Sequence, residues 1–86
     1  MITREEVVKK LQAYLQRQLS LAELVDWAED AMQEEEFEAE YHAEIRNVIA
    51  RLGVADVRAF GLTWEECENL LAELGYHTSI EVVKAD

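Results

Sequence analysis

Three hexapeptides in an 86-residue chain share one outline: apolar, Ser or Thr, any, any, Glu, apolar. They are ITREEV at 2–7, LSLAEL at 19–24 and LTWEEC at 62–67. The hydroxyl of the Ser or Thr suits the N-cap of a helix, where it accepts from the backbone N–H three residues on. The Glu at that third position can reach back to the N-cap N–H, completing a capping box. The flanking apolar residues then form a hydrophobic staple, pairing Ile2 with Val7, Leu19 with Leu24 and Leu62 with Cys67. Each box satisfies amides that a helix start otherwise leaves without partners. The spacing therefore predicts helix starts at Thr3, Ser20 and Thr63. Nucleophilic use of these hydroxyls would need a base beside them, and the two histidines, His42 and His77, are near none of them in sequence.

The runs that follow carry helical periodicity. Val7, Val8, Leu11, Tyr14 and Leu15 form one stripe, with Glu5–Lys9 and Glu6–Lys10 as favourable i,i+4 pairs on the remaining surface. Leu21, Leu24, Val25, Ala28, Ala31 and Met32 form a second, with Trp27 on its flank. Tyr41, Ile45, Val48, Ile49 and Leu52 form a third, and Cys67, Leu70, Leu71 and Leu74 a fourth. At about 100° per residue the second and third stripes are offset by roughly 120°, too much for one continuous face. A break between Gln33 and Glu38 follows, with Phe37 anchoring the corner. Gly53 and Gly75 end apolar runs and suit the left-handed C′ position, with Val54 packing back on Ile49 and Tyr76 on Leu71. The expected architecture is an all-α bundle in a single domain over 1–86, with four main helices at about 4–18, 20–33, 38–52 and 64–74. A short helical turn is expected at Ala55–Phe60, with a bend at Gly61. The β-branched Ser79–Val83 stretch favours an extended or strand-like tail that pairs with residues 57–60 or with another copy of the chain.

Charge narrows the functional classes. The chain has 8 basic and 19 acidic residues, a formal net charge of −11, unevenly spread. Residues 1–20 hold four basic and two acidic residues; residues 21–45 hold ten acidic and no basic ones. Such a segment repels phosphate backbones and anionic lipid, so neither nucleic acid nor a membrane surface is an expected partner. A basic protein is the natural complement. No run of 18 apolar residues is present, and MITREEVVKKL is charged too early for a signal peptide. A cytoplasmic location is expected.

Within the acidic segment, Glu36, Glu40 and Glu44 stack like charges at i,i+4 spacing if helical, and Glu34–Glu36 sit where the dipole of the second helix repels them. A basic partner would relieve both. The residues expected to meet it are Trp27, Asp30, Glu34, Glu35, Glu36, Glu40 and Glu44. Their plain alternative is a solvated face that keeps the chain in solution. No metal site is expected. EEEFEAEYH has no glycine for a calcium loop, and the residues three before His42 and His77 are Ala39 and Leu74, not the Glu of a di-iron motif. Glu38 and His42, at i,i+4 spacing, could at most share a stray ion. Cys67 is surrounded by Glu65, Glu66 and Glu68 and reads as a small buried apolar residue. With no nucleophile–base pair, phosphate loop or cofactor motif, neither an enzyme nor a cofactor is expected.

LAELVDWAED at 21–30 and FGLTWEECENLLAELGY at 60–76 resemble stretches of small acidic helical proteins from bacteria. They are loosely similar to the immunity proteins that neutralise bacteriocins and contact-dependent toxins. The resemblance covers about a third of the chain, rests on helix-patterning residues and brings no toxin-contacting position with it. It implies a basic-protein partner and an interaction module of immunity or antitoxin type. A homodimer, joined through the C-terminal strand or an exposed helix face, is the expectation from a different class.

Overall fold

A computed structural model describes residues 1–34, 36–55 and 62–77. Its elements are α1 (Arg4–Leu15), α2 (Leu21–Met32), a single 3-10 turn (Ala39–Tyr41), α3 (His42–Leu52) and α4 (Trp64–Glu73). All three expected N-caps are in place. The hydroxyls of Thr3, Ser20 and Thr63 accept from the amides of Glu6, Glu23 and Glu66. Only at α2 is the box complete, with the Ser20 N–H donating to Glu23 Oε1 at 3.1 Å. Glu66 turns away to pair with Arg51 of α3, and Glu6 Oε2 lies buried without a hydrogen-bond partner. All six staple residues belong to the one core cluster or pack against it.

The stripes face inward as the periodicity requires. Val7 and Leu11 of α1, Leu24, Val25, Ala28 and Ala31 of α2, Ile45, Val48, Ile49 and Leu52 of α3, and Cys67, Leu70, Leu71 and Leu74 at α4 are buried. Helix α2 packs most extensively on α3, while α1 touches the other three helices. Met32 departs from its stripe. It is the last residue of α2 and stays 44 % exposed, Ala31 holding the buried place beside it. Neither Glu5–Lys9 nor Glu6–Lys10 closes to an ion pair; the pair among the described residues is Arg51–Glu66.

Three boundaries differ from expectation. Helix α1 ends at Leu15, not Gln18, because Arg17 takes a left-handed conformation (φ 62°). The Gln18 N–H then reaches Ala13 O at 2.8 Å and the Arg17 N–H reaches Tyr14 O at 3.1 Å, a Schellman closure built without glycine. Gly53, by contrast, stays right-handed (φ −63°), and the chain tightens there into i→i+3 turns. Val54 is 41 % exposed and does not pack back; Ala55 takes the buried position. Gly75 does adopt the left-handed form (φ 87°), with Tyr76 N–H on Leu71 O and Gly75 N–H on Ala72 O, both at 2.9 Å. The third helix begins at His42, not 38. No Ser, Thr, Asp or Asn is available at 38–41 to cap it, and Phe37 is held in a bridge, with the Glu38 N–H bonded to its partner Ile2.

That bridge closes the corner. Ile2 and Phe37 pair in parallel, with Ile2 N–H on Glu36 O at 3.0 Å and Glu38 N–H on Ile2 O at 2.9 Å. Phe37 packs against the core, as expected of the corner residue, and meets the His42 ring edge-on at 5.4 Å. The expected turn over 55–60 with its bend at Gly61, the strand-like tail at 79–83 and its pairing with 57–60 fall on residues that, beyond Ala55, lie outside those described, as does Glu35.

Candidate protein-docking face

The cap on Ser20 sets the rotation of α2. Once Leu24, Val25, Ala28 and Ala31 face the core, Glu23, Asp26, Glu29 and Asp30 must face water, and all four are exposed. Gln33 caps the helix, and Glu34 and Glu36 continue the exposed acidic surface into the corner. Glu40, in the 3-10 turn, is exposed; Glu44, in the first turn of α3, is half-buried. The expected i,i+4 ladder of Glu36, Glu40 and Glu44 does not form. The three residues sit in an extended corner, a 3-10 turn and an α-helix respectively, so no single helix aligns them.

Among the described residues of this segment, two carboxylates have partners within the chain. Glu23 closes its box, and Glu38 Oε1 accepts from the Arg4 backbone N–H at 3.0 Å. Glu38 thus serves a helix start 34 residues away in sequence and is not directed to His42. Among the described residues, the side chains of Asp26, Glu29, Asp30, Glu34, Glu36, Glu40 and Glu44 make neither ion pair nor hydrogen bond. Helix α2 also has no basic residue in its last turn, leaving its negative end uncompensated. Arg46 lines a small notch with Met32, Glu34, Phe37 and His42 but closes no salt bridge there.

Trp27 is half-buried and packs on the core rim, with Lys10 Nζ 5.8 Å from its ring centre. That is the outer limit of a cation–π contact. Trp64 is the more exposed tryptophan, at 46 %, its indole N–H donating to Glu68. It stands in an apolar groove between α1 and α4 with Val8, Leu15, Leu71 and Tyr76. Burial pushes the Cys67 thiol up to about 11, reinforced by Glu66 and opposed by Arg51, so it stays protonated and unreactive at neutral pH. Among the described residues, no three His, Cys, Asp or Glu side chains are placed to hold a metal ion, and no helix is long and apolar enough to cross a membrane.

Sequence reasoning missed Arg4. Its guanidinium donates from Nη1 to Leu74 O at 3.2 Å, capping the end of α4, and lies 3.9 Å from the Tyr41 ring centre and 5.1 Å from that of Tyr76. Nothing local in ITREEV marks this residue, because its partners are 34 to 72 positions away. No family model, curated protein or solved structure matches the chain.

Proposed function

We propose that the protein is a small acidic interaction module, of immunity or antitoxin type, that docks a basic protein surface through α2 and the 34–44 corner. Seven carboxylates with neither ion pair nor hydrogen bond among the described residues, on one stretch of surface, carry this reading. Lys and Arg side chains of a partner would supply the missing charge. Such complementarity acts chiefly on association rate and partner choice, and it weakens as salt screens it. Trp27 and Met32, half-buried and exposed apolar residues beside the carboxylates, would supply desolvated contact within the charged rim.

The experiment is a pull-down from the native host at low and high salt. It compares the wild-type chain with the triple charge reversal Glu35→Lys, Glu36→Lys and Glu40→Lys. A basic protein retained at low salt, released at high salt and lost with the triple variant is the expected result. A variant that still captures every partner of the wild type ends the proposal. Sedimentation at low micromolar concentration separates this reading from self-association through an exposed helix face, which would appear there as a dimer.

A further inference from the structure

Arg4 holds two surfaces with one residue. Its backbone side faces the acidic corner: the N–H donates to Glu38 Oε1, and the neighbouring Ile2 clasps Glu36 and Glu38 through both of its backbone groups. Its guanidinium faces the other way, onto the end of α4, where it donates to Leu74 O. The fit there is close. A Cβ placed on Gly75 would come within 3.1 Å of Arg4 Nη1, so the guanidinium lies in tight contact with the turn at Gly75. The same planar group lies against Tyr41, which belongs to the acidic corner, and against Tyr76, which lines the α1–α4 groove with Val8, Leu15, Trp64 and Leu71.

We propose that Arg4 couples the acidic corner to the apolar groove, so that a change at Tyr41 is transmitted to Tyr76 through this one side chain, and the reverse. A guanidinium 3.9 Å from the Tyr41 ring centre, 5.1 Å from that of Tyr76 and bonded to Leu74 O shifts relative to Tyr76 and Leu74 when it shifts relative to Tyr41. Coupling of this kind is reciprocal: an occupant of the corner alters the free energy of opening the groove by as much as an occupant of the groove alters that of the corner. Neither surface needs an occupant for the coupling to be measured, so it stands or falls separately from the docking of a basic protein.

Native-state hydrogen exchange reads it directly. The Tyr76 amide, bonded to Leu71 O, reports the end of α4, and the Val48 and Ile49 amides on the buried side of α3 report global opening. Tyr41→Ala perturbs the corner at the ring that the guanidinium touches. It is expected to speed Tyr76 exchange by roughly five-fold or more relative to Val48 and Ile49. In an Arg4→Ala background the further change should vanish. Arg4→Lys keeps a charge and a donor but loses the planar face, so it should behave like Arg4→Ala; it also serves as the background if Arg4→Ala fails to fold. The coupling is refuted if Tyr41→Ala leaves Tyr76 exchange unchanged. It is equally refuted if the change is the same with and without Arg4, or if it appears only together with an equal change at Val48 and Ile49.

Discussion

Gly53 and Gly75 occupy equivalent places in the sequence pattern, each closing an apolar helical run, yet they are physically different residues. Gly53 is right-handed, and among the described residues a Cβ there would meet Ile49 O at 3.5 Å and Ala50 O at 3.6 Å, ordinary contacts. Gly75 is left-handed and has Arg4 against it. Alanine at 53 removes freedom from the unfolded chain without straining the fold, so Gly53→Ala should stabilise by about 0.4–1 kcal/mol. Alanine at 75 carries the left-handed penalty of about 1–2 kcal/mol, with the displacement of the guanidinium in addition. Urea denaturation of the two variants should move the midpoint in opposite directions. A Gly53→Ala variant destabilised to the same extent as Gly75→Ala would contradict the assigned backbone conformations. Arg17 completes the comparison, since it accepts a left-handed conformation that the pattern led one to expect only at glycine.

At the scale of the element, a capping hexapeptide reliably starts a helix but does not by itself close the box. Glu23 bonds back to Ser20, Arg51 draws Glu66 away, and Glu6 leaves its box open with Oε2 lacking a hydrogen-bond partner. The Ser20 backbone N–H, and then its hydroxyl, hold the Glu23 carboxyl below the usual carboxylate range. A carboxyl lowered by folding stabilises the folded state above its unfolded pKa, about 4.3 for glutamate, and loses that contribution as pH falls through the folded value. Helix α2 should therefore weaken on acidification below about pH 4.5 in part through this residue, and Glu23→Gln should flatten that part of the stability–pH curve. Ser20→Ala, which removes the acceptor, should cost about 1 kcal/mol at neutral pH. Urea midpoints collected from pH 6 to pH 3 for the three proteins check both statements; a Glu23→Gln curve parallel to that of the wild type throughout would reject the assignment.

For the whole molecule the decisive quantity is the distribution of a net charge of −11. The core is formed by apolar residues alone, with no buried charged or polar residue among those described. Self-repulsion is therefore concentrated at the surface of α2 and the corner, where salt can screen it. The free chain should melt at a higher temperature as sodium chloride rises from about 10 mM to about 150 mM, over which the screening length falls from roughly 30 Å to 8 Å. Glu36→Gln and Glu40→Gln should also raise the melting temperature at low salt, by an increment that shrinks at high salt. The docking proposal predicts that these same changes weaken capture of a basic partner, so stability and binding would move in opposite directions. Thermal melts at the two salt concentrations test the first half, and a melting temperature insensitive to salt would mean that the carboxylates do not strain the fold.

The sequence by itself determined where the three capped helices begin, which of their sides face inward and that two adjoining helices must break near Phe37. These follow from chemistry spanning three or four residues: a hydroxyl three positions before an amide, and an apolar period of 3.6. The candidate face was legible for the same reason, since an acidic residue opposite an inward stripe has only water to face. Tertiary structure decided the rest. It selected Arg17 and not Gly53 for a left-handed turn, drew Glu66 from its cap to Arg51, exposed Met32 at the end of its stripe and set Arg4 between Tyr41 and Tyr76. Each of those outcomes depends on which groups packing brings within a few ångströms across tens of residues of chain, and no local pattern carries that distance.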